Sequence, residues 1–134
     1  MKEQLITFDT AKLAKEKGFN VPVIYYFEDY NGELTHYHLS KKDWNNRGKQ
    51  YSIMYSAPSQ SLLQKWLREV HHIVIDNTCY FSLTKFTLKL HTFENGEFIG
   101  TVIDSVRDVK NRVTYKSYEE ALEEGLIEAL KLLK

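Results

Sequence analysis

Hydrophobic side chains change period several times along the 134 residues, and each change marks an expected element. Residues 8–17 carry Ala11, Leu13 and Ala14 on a narrow apolar stripe. Thr7 or Asp9 is placed to cap its first turn, and Gly18 to end it in the left-handed conformation, with Phe19 folding back on the last apolar turn. Residues 21–30 and 33–39 are rich in β-formers and flank Asn31-Gly32, a dipeptide whose two positions accept positive φ and favour a two-residue hairpin loop. That loop predicts Tyr30 opposite Glu33, Tyr26 opposite Tyr37 and Ile24 opposite Leu39. The other face then carries Val23, Tyr25, Phe27, Leu34, His36 and His38, so both faces of the hairpin are aromatic.

A polar loop over 40–50 leads to an expected strand at 51–55, which ends at Ala57-Pro58. Pro58 suits the first turn of a helix over 58–70, because that N–H needs no partner. Leu62, Leu63, Trp66, Leu67 and Val70 recur there at three- and four-residue spacing and form one apolar face. Ile73-Val74-Ile75 reads as a short buried strand. Residues 80–93 read as a longer one, with Phe86, Leu88 and Leu90 alternating against Thr87, Lys89 and His91. Asn95-Gly96 signals a second hairpin, with Phe93 opposite Phe98 and Leu90 opposite Thr101.

The last helix follows Ser117, whose spacing to Glu120 is that of a capping box. Tyr118, Ala121, Leu122, Leu126, Ala129, Leu130 and Leu133 form its apolar stripe, while its glutamates lie mostly on the other side. Gly125 falls within the stripe, where it costs about 1 kcal/mol against alanine; a close approach to a strand would account for it. The order is α-β-β-β-α-β-β-β-α with two hairpins. It predicts an α+β fold in which three helices pack on a mainly antiparallel sheet. No repeat and no Pro/Ser-rich linker divides the chain, so a single domain over 1–134 is expected.

Composition narrows the function classes. The chain has 18 basic and 18 acidic residues, and this zero balance removes the simplest argument for nucleic acid, which starts from a strongly basic domain. The lone Cys79 allows no internal disulfide and reads as a small core hydrophobe in a reducing compartment. No apolar run approaches the ~18 residues of a membrane span, and the first residues lack a signal peptide's apolar core. The aromatic count stands out: Tyr 9, Phe 7 and Trp 2, or 13% of the chain; most of these rings should fill the core, but the first hairpin has rings on both faces, which a sheet covered on only one side would not need.

Candidate chemistry is sparse. His36 and His38 project from one strand face, and with His71, His72 or Cys79 they could supply metal ligands. No Cys-x-x-Cys or His-Glu-x-x-His spacing is present, and imidazoles packed on aromatics are the simpler reading, so no metal and no cofactor is expected. Asp76 and Asp104 read as isolated acids, and Cys79 has no nucleophile signature, so no catalytic set and no enzyme is expected. Ser56, Ser59 and Ser61 near the second helix read as caps, because the glycines and lysine of a phosphate loop are absent. Lys41, Lys42, Arg47 and Lys49 surround Trp44, a basic and aromatic loop able to contact phosphates and stack bases. Tyr25, Phe27, His36 and His38 form the expected surface for a protein partner or a second copy, because Tyr is favoured at interfaces.

Three stretches carry a resemblance. These are Thr10-Ala-Lys-Leu-Ala-Lys-Glu-Lys-Gly-Phe19, Tyr55-Ser-Ala-Pro-Ser-Gln-Ser-Leu-Leu-Gln-Lys-Trp-Leu-Arg-Glu-Val-His-His-Ile73 and Tyr118-Glu-Glu-Ala-Leu-Glu-Glu-Gly-Leu-Ile-Glu-Ala-Leu-Lys-Leu132. They resemble small uncharacterised proteins of phages, prophages and mobile elements of gut Bacteroidetes-type bacteria. The resemblance covers the three helices and implies a setting in the cytoplasm of a bacterial host, with no catalytic residues. The last helix also resembles the Glu-Glu-Ala-Leu helix of antitoxins of the HicB type. The function expected from residues and resemblance together is a small phage-associated binding protein, acting on another protein or on itself. The alternative is a nucleic-acid-binding, antitoxin-like factor using the loop 41–51.

Overall fold

The computed structural model describes residues 4–28, 32–36, 54–80, 84–107 and 109–134. They form α1 (Phe8–Glu16), β1 (Tyr25–Glu28), β2 (Leu34–His36), β3 (Met54–Ser56), α2 (Gln60–His71), β4 (Ile73–Asp76), β5 (Lys89–Glu94), β6 (Glu97–Asp104), a 3-10 turn at Val109–Asn111 and α3 (Tyr118–Lys131). The fold is α+β, and its antiparallel pairing divides into two three-stranded sheets, β2-β1-β3 and β4-β5-β6. Each sheet belongs to one of two compact units, Met1–Leu62 and Leu63–Lys134, and the division falls within α2.

In the first unit, Thr7 caps α1 by accepting the Thr10 N–H at 3.4 Å. The other end closes on two bonds, Gly18 N–H to Lys15 C=O at 3.1 Å and Phe19 N–H to Ala14 C=O at 2.9 Å. This pair of bonds needs a left-handed residue, which Gly18 supplies at φ +95°. Phe19 is thereby folded back into the core beside the buried Ala11 and Ala14 face.

The first hairpin differs from its expected register. Glu28 N–H donates to Glu33 C=O at 3.1 Å and Gly32 N–H to Glu28 C=O at 2.8 Å, so residues 29–32 lie between the strands instead of two residues. Tyr25 therefore opposes His36, Tyr26 opposes Thr35 and Phe27 opposes Leu34. The shift is by two positions, and because strand side chains alternate with period two, Tyr25, Phe27 and Leu34 keep their expected common face. The Phe8 ring accompanies the longer turn: it lies 3.8 Å from the place a Cβ on Gly32 would take and packs edge-on against Phe27 at 5.5 Å. Phe8 also meets Tyr55 edge-on at 5.7 Å, which ties α1 to β3.

Ser59 caps α2, its hydroxyl accepting the Leu62 N–H at 3.2 Å. Pro58 lies one residue before that cap and not in the first turn, because Ser59 can accept the N–H that a cap must satisfy. The Pro58 C=O instead takes the Ile6 N–H at 3.1 Å. Leu63, Trp66 and Leu67 are buried as expected, but Val70 is exposed, because the last turn extends past the buried part of the apolar face.

In the second unit, β5 starts at Lys89, not at residue 80. Phe86 makes only isolated bridges, to Cys79 and Tyr115, and its N–H and C=O are taken by Tyr115 at 2.8 and 2.9 Å. Thr87, expected to face outward, is buried, because the Thr78 hydroxyl at 3.2 Å gives its own hydroxyl a partner. Cys79 is exposed and is not the core hydrophobe expected. Phe93 opposes Phe98 as expected, but Leu90 opposes Ile103 instead of Thr101. Two irregularities cause the change: Ile99 and Val102 are extra residues on β6 with no partner on β5, and both are exposed.

Ser117 caps α3, accepting the Glu120 N–H at 3.1 Å, while the Glu120 carboxylate accepts the Lys116 N–H at 3.1 Å. The helix buries Ala121, Leu122, Leu126, Ala129 and Leu130. Gly125 is the closest approach: a Cβ there would lie 2.7 Å from Ile75 Cγ2 and 2.8 Å from Leu88 Cδ1. The glycine costs helix propensity and permits contact between α3 and the sheet. Gly125→Ala recovers about 1 kcal/mol of propensity but overpacks the contact by about 1–3 kcal/mol. A net loss of melting temperature is expected, larger for Gly125→Val, and thermal unfolding followed by circular dichroism checks it; a rise in Gly125→Ala contradicts the packing.

Candidate functional site

Two surfaces gather chemistry, one in each unit. In the first, the segment Pro22, Val23 and Ile24 enters β1 and forms an apolar groove of about 500 Å³ with Tyr25, Leu34 and Leu5. Ala57, Pro58, Ser59 and Leu62 complete it from the turn between β3 and α2. The backbone closes this turn through the Ala57 N–H, which donates to Tyr25 C=O at 2.9 Å, and through the bridge between Leu5 and Ser59. None of the ten lining side chains carries a formal charge. Ile24 is 61% exposed and Leu34 47%, while Tyr25 is exposed more modestly at 37%. Apolar side chains this exposed around one groove mark a surface able to exclude water on contact.

The expected partner-binding residues therefore separate. Tyr25 is exposed on the groove. Phe27 is buried, held edge-on against Phe8. His36 lies directly across β1 from Tyr25. His38, and with it Lys41, Lys42, Trp44, Arg47 and Lys49 of the basic loop, lies outside the described residues. Ile24 and Leu34 are sites that sequence reasoning passed over. Their signal was an apolar residue on each strand with no helix assigned to cover it.

In the second unit, α3 covers the face of the sheet that bears Ile75 and Leu90. The opposite face bears Val74, Asp76, Lys89, His91, Phe93, Phe98 and Thr101, as the register dictates. Here Asp76 is not isolated. Its Oδ2 stands 3.6 Å from His91 Nε2, and His91 Nδ1 stands 2.8 Å from the Thr101 hydroxyl. The carboxylate beside Nε2 favours the imidazole tautomer with its proton there, which leaves Nδ1 to accept the Thr101 proton. Phe98 meets the His91 ring at 5.9 Å and Phe93 at 5.7 Å. Arg107 Nη2 donates to the Thr101 C=O at 3.4 Å.

The remaining histidines are accounted for locally. His72 takes positive φ, 58°, where α2 ends, and its C=O accepts the Phe93 N–H at 3.0 Å. His71 packs edge-on against Trp66 with ring centroids 4.6 Å apart. Among the described residues no group of three or more His, Cys, Asp or Glu could hold a metal ion, and no helix is long and apolar enough to cross a membrane.

No family model, no curated protein and no solved structure matches the chain.

His71 gives the fold a pH dependence. Burial, and then the neighbouring His72, hold its pKa below the ordinary imidazole value, and its Nε2 is shielded without a hydrogen-bond partner among the described residues. The unfolded chain then binds the proton first, so the stability associated with neutral His71 is complete above the ordinary imidazole range and is lost as pH falls through it. Urea unfolding between pH 7 and 5 should show stability falling with pH, and a shallower fall in His71→Phe. Equal slopes contradict this role for His71.

Proposed function

We propose that the protein is a small binding protein, acting in the phage or prophage setting that its helical stretches suggest, and that its groove in the first unit takes an apolar segment of a partner protein. The observation that supports this is the ring of exposed Ile24, Tyr25 and Leu34 around a groove with no charged lining residue. Burying an unpaired charge in such a groove is costly, whereas apolar side chains gain about 25 cal/mol per Å² of surface removed from water. The occupant is therefore an uncharged stretch with apolar anchors, and Tyr25 supplies the rigid aromatic contact that interface centres favour.

Selection of a random dodecapeptide library on the immobilised full chain tests this. Enriched peptides should share apolar residues and lack charge at their centre. Leu34→Asp and Ile24→Asp should each weaken them by at least about tenfold, roughly 1.4 kcal/mol, with unchanged circular dichroism. Failure to enrich, or equal binding to Leu34→Asp, overturns the proposal. Light scattering that shows a dimer abolished by Leu34→Asp would put a second copy in the groove and overturn the assignment to a different protein.

A further inference from the structure

We infer that Thr101 is a reactive nucleophile activated by His91 and Asp76, on the open face of the second sheet. The three groups sit on three adjacent strands in the order carboxylate, imidazole, hydroxyl, at 3.6 and 2.8 Å. Nucleophilic catalysis draws on such an arrangement: a base within hydrogen-bond reach of the hydroxyl, and a carboxylate at ion-pair distance on the base's other nitrogen. Three further features point the same way. The face is the one α3 leaves uncovered. The Phe93–Phe98 pair adjoins His91, and Phe98 is 58% exposed, so an aromatic or apolar group has a wall to rest on. Arg107, bonded to the Thr101 backbone at 3.4 Å, places a cation beside the nucleophile, next to which the ester's carbonyl oxygen takes up negative charge.

The substrate class is a small uncharged ester with an aromatic leaving group. Thr101 Oγ forms a bond to the acyl carbon, and its proton passes to His91 Nδ1. The ester C–O bond breaks, and the departing phenolate takes that proton. Water, losing a proton to His91, then attacks the acyl-threonine; the threonine oxygen recovers the proton as the carboxylic acid leaves. Asp76 acts as a positioning residue, holding the imidazole.

The groove reading and this one concern different sheets, so either can fail alone. The test is p-nitrophenyl acetate with the full-length chain, read by phenolate release and by peptide mass. One acetyl group is expected on Thr101. His91→Gln should slow the acylation by about 100-fold or more. Asp76→Asn should slow the acylation and Asp76→Glu should restore most of it, with circular dichroism unchanged in both. Thr101→Ser should keep the reaction, and Thr101→Val should abolish it with an unchanged circular dichroism spectrum. Acetyl groups found only on lysines, or Thr101 acylated equally fast in His91→Gln, overturn the inference.

Discussion

Gly125 sets how near α3 lies to the sheet of the second unit, and much of that unit's architecture follows from this distance. With hydrogen in place of a side chain, the helix backbone reaches Ile75 and Leu88 at van der Waals range. Ala121, Leu122, Leu126 and Leu130 can then bury fully on the same side. Truncating any one of these leucines to alanine would leave a cavity in a region packed at crystal-like density. One helix covers one face. The strands alternate, so covering Ile75 and Leu90 commits Asp76, His91, Thr101 and Phe98 to the other side.

The first unit obeys a related constraint with a different outcome. Phe8 of α1 reaches Phe27 and Tyr55 and closes the core there. Beside that core, Ile24 and Tyr25 at the start of β1 and Leu34, the cross-strand partner of Phe27, surround an apolar groove. Binding surface and core are thus continuous in sequence: Tyr25 and Phe27 share a strand face, and one is exposed while the other is buried.

Local signals were legible in the sequence. Gly18, Thr7, Ser117 and Glu120 act within one turn of their own helix, and each does what its type and spacing indicate. The α+β class follows from the same kind of pattern. Longer-range signals were not legible. Asn31-Gly32 announces a turn, but it does not announce that the strands close at Glu28 and Glu33, where Phe8 packs over Gly32. The clearest case is Thr101. A straight register from Asn95-Gly96 sets it opposite Leu90; the extra residue at Ile99 moves it across from His91. No composition or period reveals a bulge of that kind, and the β4–β5 pairing that brings Asp76 to His91 follows from no turn signal in the sequence.

The central claim is that the uncovered apolar groove of the first unit is where this protein meets a partner. Methyl NMR of the isotope-labelled full chain, titrated with a peptide selected on it, tests this most directly. The account predicts shifts at the methyls of Leu5, Val23, Ile24, Leu34 and Leu62, with Ile99 and Val102 unmoved. Shifts centred on Ile99 and Val102, with the groove methyls silent, would contradict it.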